Sequence, residues 1–229
     1  MPPLGLLYDV HGNLPALEAV VEDARGAGAE EFILGGDYAL FGGWPVETVA
    51  ALRELPAVGW IRGNCEREAA EAEPVADNPV LSGAVISLRE VLDPGLVDAL
   101  AALPEQLVHD GARYCHASPV SDMRSFLPEP LPDESELLAG VHERRLVFGH
   151  THLPFARTAD GIELVNPGSV GMPFDGDPRA AYALVHPDGR VEHRRVAYDH
   201  AASAEAVQGR FGDSDWAETV VRRIRTARP

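Results

Sequence analysis

Seven side chains in this sequence carry metal-donor chemistry in short, regular spacings. Asp9 and His11 stand one residue apart in YDVHGN, and Asp37 follows two glycines in GGDY. Asn64 lies in RGNCE, His116 in YCHASP, and His150 and His152 one residue apart in FGHTH. Carboxylate, amide and imidazole donors together suit Mn, Fe, Zn, Ni or Co better than Ca, and the lack of thiolate pairs argues against a structural zinc. Seven donors are too many for one ion and a natural number for two divalent ions sharing a carboxylate. Asp-x-His and His-x-His would set two donors on one side of an extended segment, because strand side chains alternate with period two. Each motif alone has a plainer explanation. A helix cap accounts for DVHG, turn chemistry for a strand-end aspartate, and two surface histidines for GHTH. His109, His142, His186, His193 and His200 lie off these motifs and read as structural or surface residues. The conjunction carries the inference, because every motif follows an apolar run.

Those runs supply the frame. LGLLYDV (4–10) reads as a buried strand, followed by a helix that Asn13 can cap, with Pro15 in its first turn. EFIL (31–34) and VGWI (58–61) read as strands, with an amphipathic helix over 45–55 between them. This alternation predicts a parallel sheet, whose ligand site lies outside the carboxyl ends of its strands. Further on, residues 95–104 look helical, and QLVH and RYCH form a hairpin about Asp110-Gly111. Residues 118–133 read as a long loop and RLVF (145–148) as a strand; two more hairpins turn at Asp160-Gly161 and at Pro187-Asp188-Gly189. The last thirty residues are helical in pattern, with an arginine-rich end that looks exposed. Two packed sheets flanked by helices would satisfy both halves.

Composition narrows the function. The 229 residues suffice for one sizeable domain. Net charge is −17 and every basic residue is arginine, which disfavours a nucleic-acid polymer as partner. Two cysteines, Cys65 and Cys115, do not make a disulfide framework and suit a reducing, cytoplasmic setting. The N-terminus looks like neither signal peptide nor membrane span, and no segment approaches the roughly 20 apolar residues a bilayer requires. A membrane partner is not expected, and oligomeric state is left open.

The ordered blocks D-x-H, G-D, G-N-[HC]-[DE], H and G-H-x-H, here running from Asp9 to His152, resemble the calcineurin-like metallophosphoesterases. NPGSVG (166–171) extends the resemblance towards their small bacterial phosphodiesterase branch, and it weakens after about residue 200. The resemblance implies a four-layer α/β/β/α sandwich over a single domain, 1–229, with an irregular loop or cap segment about 118–140 and a helical segment about 200–229. It also implies a metal-dependent phosphoester hydrolase, most readily a phosphodiesterase, acting on small phosphoesters through a hydroxide bridging two ions, with Mn the first choice. Asp9, His11 and His152 would hold one ion and Asn64, His116 and His150 the other, with Asp37 bridging. Protein phosphatase, dinucleotide polyphosphate hydrolase and a non-catalytic scaffold of the same fold are the alternatives. For a dinucleotide, Tyr38, Phe41 and Trp44 are candidate base-stacking aromatics, or they simply pack their loop.

Two positions depart from the family pattern. Tyr8 replaces a small residue, and alternation turns it away from Asp9. Cys65 stands where many relatives place a histidine that protonates or stabilises the leaving alkoxide. A thiol can donate a proton but offers no positive charge, which biases the site towards diesters or good leaving groups. Nucleophile, metal ligand and buried filler are the other readings of Cys65. Cys115 is expected to pack in the core. Arg62, Arg67 and Arg124 could reach a substrate phosphate, Arg67 first because it follows GNCE, although ion pairing explains each of them as well.

Overall fold

A computed structural model describes residues 1–71 and 78–229. Strands β1 (Leu4–Leu7), β2 (Glu31–Leu34) and β3 (Ala57–Trp60) are parallel, and α1 (Leu14–Gly26) and α2 (Pro45–Arg53) connect them. Asn13 caps α1 by accepting from the Ala16 amide, as its residue type suggested. The hairpin of β9 (Ala180–Val185) and β10 (Val191–Val196) joins antiparallel to β1, giving a sheet in the order β10-β9-β1-β2-β3. The second sheet has the order β4-β5-β6-β8-β7, from β4 (Gln106–His109), β5 (Ala112–Cys115), β6 (Arg145–Val147), β7 (Phe155–Ala159) and β8 (Ile162–Asn166). Its central strands β5, β6 and β8 are parallel, and β4 and β7 pair antiparallel at its edges.

The strands read as unbroken apolar runs because both faces of each sheet are covered. Leu6, Ile33, Val147, Val165 and Ala183 fill the space between the sheets, together with Tyr8, which is fully buried there. Alternate residues Leu7, Phe32, Leu34, Tyr182 and Leu184 face the helices on the other side of the first sheet. The outer face of the second sheet, with Leu146, Phe148, Leu164 and Cys115, is covered by the 118–141 segment through Phe126, Leu138 and Val141 and by the short α6 (Glu134–Leu137). The result is the expected layered sandwich, with one thick and one thin helical layer. Among the described residues no helix is long and apolar enough to cross a membrane.

Three helical features differ from the sequence reading. Asn64 opens a short helix, α3 (Asn64–Ala70), where the sequence reading placed no helix. α4 (Pro79–Val91) was not anticipated, although Asn78 and Pro79 mark its start and Leu81, Ala84, Val85 and Leu88 its buried face. α5 (Pro94–Ala101) follows it. The arginine-rich end is not simply exposed: α7 (His200–Phe211) and α8 (Asp215–Thr226) pack together, and α8 buries Trp216, Ala217, Val220, Val221 and Ile224.

Candidate metal centre

All seven donors come together, on loops rather than on strands. β1 stops at Leu7, and Asp9, His11, Asp37, His150 and His152 have φ between 50° and 67°. The pairing of Asp9 with His11, and of His150 with His152, therefore comes from left-handed residues at i and i+2, not from a pleat. That corrects the period-two explanation. A left-handed non-glycine residue costs roughly 1–2 kcal/mol. Five of them in one cluster mean that the surroundings hold the backbone in place. The Asp9 amide donates to the Gly36 carbonyl (3.2 Å) and the His11 amide to the Asp37 carbonyl (2.8 Å). Ser169 Oγ and the Gly171 amide both donate to the Asp9 carbonyl (2.7 and 3.0 Å). Asn166 Nδ2 donates to the Gly149 carbonyl at 3.0 Å. NPGSVG thus ties the Asp9 loop to the His150 loop. Gly36 and Gly63 admit no side chain: a Cβ on Gly36 would lie 2.7 Å from His116 Nδ1, and one on Gly63 2.2 Å from Asp37 Oδ1.

Inside the cluster, acceptors face acceptors. His11, His116 and His152 each place Nδ1 against a backbone carbonyl, of Leu40 (3.2 Å), Gly35 (3.0 Å) and Met172 (2.5 Å). Donating there puts the proton on Nδ1 and turns a bare Nε2 inward. The Nε2 atoms of His11 and His152 are then 3.0 Å apart. Asn64 donates its amide to Glu68 Oε2 (3.2 Å), so its Oδ1 faces His116 Nε2 and His150 Nδ1, each at 3.0 Å. Asp9 Oδ1 is buried with no hydrogen-bond partner among the described residues, 3.6 Å from His152 Nε2 and 4.0 Å from His116 Nε2. Asp37 divides its oxygens, Oδ2 lying 3.8 Å from His11 Nε2 and Oδ1 3.5 Å from His116 Nε2. Lone pairs at these separations repel unless positive charge lies among them, so the donor set fits divalent cations.

The electrostatics agree. Burial, then the Asp37 charge, raises the Asp9 pKa well above the usual carboxylate range, and burial raises that of Asp37. Burial, then the His116 ring, lowers His11 to about 3, and the same two causes lower His150 to about 4. The histidines are therefore neutral and free to ligate, while the buried carboxylates would gain from a cation placed between them.

His116 opens into a pocket of about 340 Å³ lined also by Arg62, Arg67, Gln106, Ser118 and Asp122. Arg67 is held by Asp122 and Glu71 (2.6 Å each) and by Glu68 (3.3 Å), and Arg62 by Glu105 (2.5 Å). Arg124 is half exposed and pairs with Asp133 and Glu136. Cys65 is buried, its amide 3.0 Å from Asp37 Oδ1 and its Sγ 3.0 Å from Asp37 Oδ2. Burial, then Asp37, raises its pKa well above that of a free thiol. The thiol thus directs its proton to Asp37. Tyr38 is fully buried and its hydroxyl contacts the Ile61 carbonyl at 2.6 Å, so it cannot stack a base; Phe41 leans on His11 instead.

Sequence reasoning missed Glu66 and Glu68. Glu66 accepts from the amides of Asp37, Tyr38 and Gly63, each at 2.8 Å, and so joins the two loops that carry Asp37 and Asn64. Acidic residues three and five positions after Gly63 were the available signal, since an N3 glutamate can reach back to a helix cap.

A family model of the calcineurin-like phosphoesterase superfamily domain matches residues 3–190. Phosphodiesterase YfcE of Escherichia coli (strain K12) is 30% identical over 198 residues, 82% of this chain and 89% of its own. The crystal structure of a metallophosphoesterase from Sphaerobacter thermophilus aligns with a TM-score of 0.83 at 27% identity, covering 98% of this chain and 99% of that one. A hypothetical protein from Pyrococcus horikoshii OT3 shares the fold, with a TM-score of 0.84 at 20% identity and 99% of each chain covered.

Proposed function

The chain belongs to the calcineurin-like phosphoesterase superfamily and is a metal-dependent phosphoesterase, and on that premise we propose that it hydrolyses small phosphodiesters at a centre of two divalent ions. The observation that carries this reading is the inward-facing set of acceptors without protons, with Asp37 dividing its two oxygens between His11 and His116. Asp9, His11 and His152 would hold one ion, Asn64, His116 and His150 the other, and Asp37 both. Ions bound there would neutralise charge on the phosphoryl oxygens and acidify a water. The chain's own contribution is to fix the donors: carbonyls set the histidine tautomers, Glu66 holds the loops, and Glu68 holds the Asn64 amide so that its oxygen faces inward. The diester preference rests on the YfcE relationship and on Cys65, which brings no cation to a leaving group. Residues 1–229 act as one domain in this reading, and Mn is the first metal to try.

The test is hydrolysis of bis(p-nitrophenyl) phosphate and p-nitrophenyl phosphate with Mn²⁺, Fe²⁺, Zn²⁺, Ni²⁺ or Co²⁺ added to chelator-treated protein. Metal-dependent cleavage favouring the diester is expected; no cleavage of either ester with any ion defeats the proposal. In the same assay Cys65→His should raise the monoester-to-diester rate ratio roughly tenfold, at the low end of what a positioned acid contributes. An unchanged ratio would assign Cys65 only to holding Asp37.

Glu68→Ala frees the Asn64 amide to rotate. Mn²⁺ affinity should fall about tenfold, as for other groups that orient a ligand. Titration calorimetry reads this without turnover, and wild-type affinity would remove Glu68 from the ligand-orienting network.

A further inference from the structure

Three arginines reach the neighbourhood of the centre, and two of them, Arg62 and Arg67, are neutralised by carboxylates. The third, Arg223, comes from α8, beyond the residues matched by the family model. Among the described residues no carboxylate lies within ion-pair distance of it, and its Nε is buried without a hydrogen-bond partner. Its guanidinium lies 5.7 Å from the centroid of the Phe174 ring. Phe174 in turn stacks on His152, with centroids 4.4 Å apart and planes at 25°, and its amide donates to the His152 carbonyl (3.3 Å). A short column thus runs from the C-terminal helix to a candidate metal ligand.

A partly desolvated cation without an anion is costly and is normally paired. Burial and the adjacent Arg222 lower the Arg223 pKa, as expected of a cation lacking its counter-charge. Contact with an aromatic face supplies only part of the missing stabilisation, and among the described residues the two terminal nitrogens of Arg223, unlike its buried Nε, are left for a planar, bidentate acceptor. Phe174 touches both Arg223 and His152, which sets the guanidinium a ring away from the metal ligands rather than among them.

We propose that Arg223, seated on Phe174, forms an anion-binding subsite that takes a second anionic group of the substrate, such as a further phosphate, beside the scissile ester. The chemistry it selects is a phosphoester carrying two anionic groups a few bonds apart. This rests on the phosphoesterase reading of the neighbouring centre, yet it is measurable without turnover.

The experiment compares binding of 1,3-propanediol bisphosphate and propyl phosphate to Mn²⁺-loaded protein by calorimetry, at fixed ionic strength. Wild type should bind the bisphosphate roughly tenfold more tightly, the scale of one charge-assisted contact. Arg223→Gln should abolish that preference while leaving propyl phosphate binding unchanged. Arg223→Lys should keep part of it, and Arg222→Ala and Arg225→Ala, on the same helix, should keep all of it. Equal binding of the two ligands by wild type, or an undiminished preference in Arg223→Gln, would overturn the proposal. A lowered melting temperature in Arg223→Gln with the preference intact would assign Arg223 to packing. Failure of the phosphoesterase reading shows separately, as absent hydrolysis by wild type.

Discussion

Asp37→Ala is expected to lower metal-dependent hydrolysis by about three orders of magnitude or more, because it removes the carboxylate proposed to bridge the two ions. Its Oδ2 lies 3.8 Å from His11 Nε2 and its Oδ1 3.5 Å from His116 Nε2, and among the described residues no other carboxylate lies within 4 Å of both rings. The same substitution should not unfold the metal-free protein. Burial raises the Asp37 pKa above its unfolded value, so at neutral pH the fold bears the cost of keeping this group ionised. Without metal, the variant should therefore melt at or above the wild-type temperature, although it gives up the contacts to the Cys65 amide and thiol. With Mn²⁺ the order should reverse, because binding stabilises only a protein able to hold the ions. Hydrolysis and paired melting curves check this. Activity within tenfold of wild type would remove Asp37 from the bridging role.

Glu66→Ala should act through stability first. Its carboxylate accepts three buried backbone amides, two at Oε2 and one at Oε1. Truncation leaves Asp37, Tyr38 and Gly63 without that acceptor, at about 1–3 kcal/mol for each buried group left unsatisfied. A loss of about 3 kcal/mol or more corresponds to a melting temperature lower by roughly 6–12 °C in a chain of this size. Glu66→Gln keeps the volume but turns an NH₂ group towards at least one of those amides, so its loss should be intermediate. Thermal melts of the metal-free proteins read both. A Glu66→Ala variant as stable as wild type would mean that the two loops are held by other contacts.

The frame of the site was legible because strands covered on both faces read as short apolar runs, and each donor followed one. LGLL, EFIL and RLVF end where Asp9, Asp37 and His150 follow. What the pattern could not give was conformation past the strand end. Left-handed φ at Asp9 and His11 leaves no mark in residue type, since neither is glycine. Asn64 did not read as helical because α3 is seven residues long and too short for hydrophobic periodicity to register. Glu66 was legible only as the last residue of the G-N-[HC]-[DE] block, because its amide partners lie up to 29 positions away. Arg223 was hidden for a related reason. On α8 it lies between the exposed Arg222 and the buried Ile224, and only tertiary packing sets it beside Phe174, 49 positions earlier. Spacing reveals donors; partners contributed from distant sequence emerge only from the fold.

The most direct test of the central claim is Mn²⁺ binding followed by metal analysis and electron paramagnetic resonance on the same samples. Two ions per chain with a spin-coupled signal are predicted, reduced to one uncoupled ion or none in Asp37→Ala. A single uncoupled ion in wild type at saturating Mn²⁺ would contradict the shared centre.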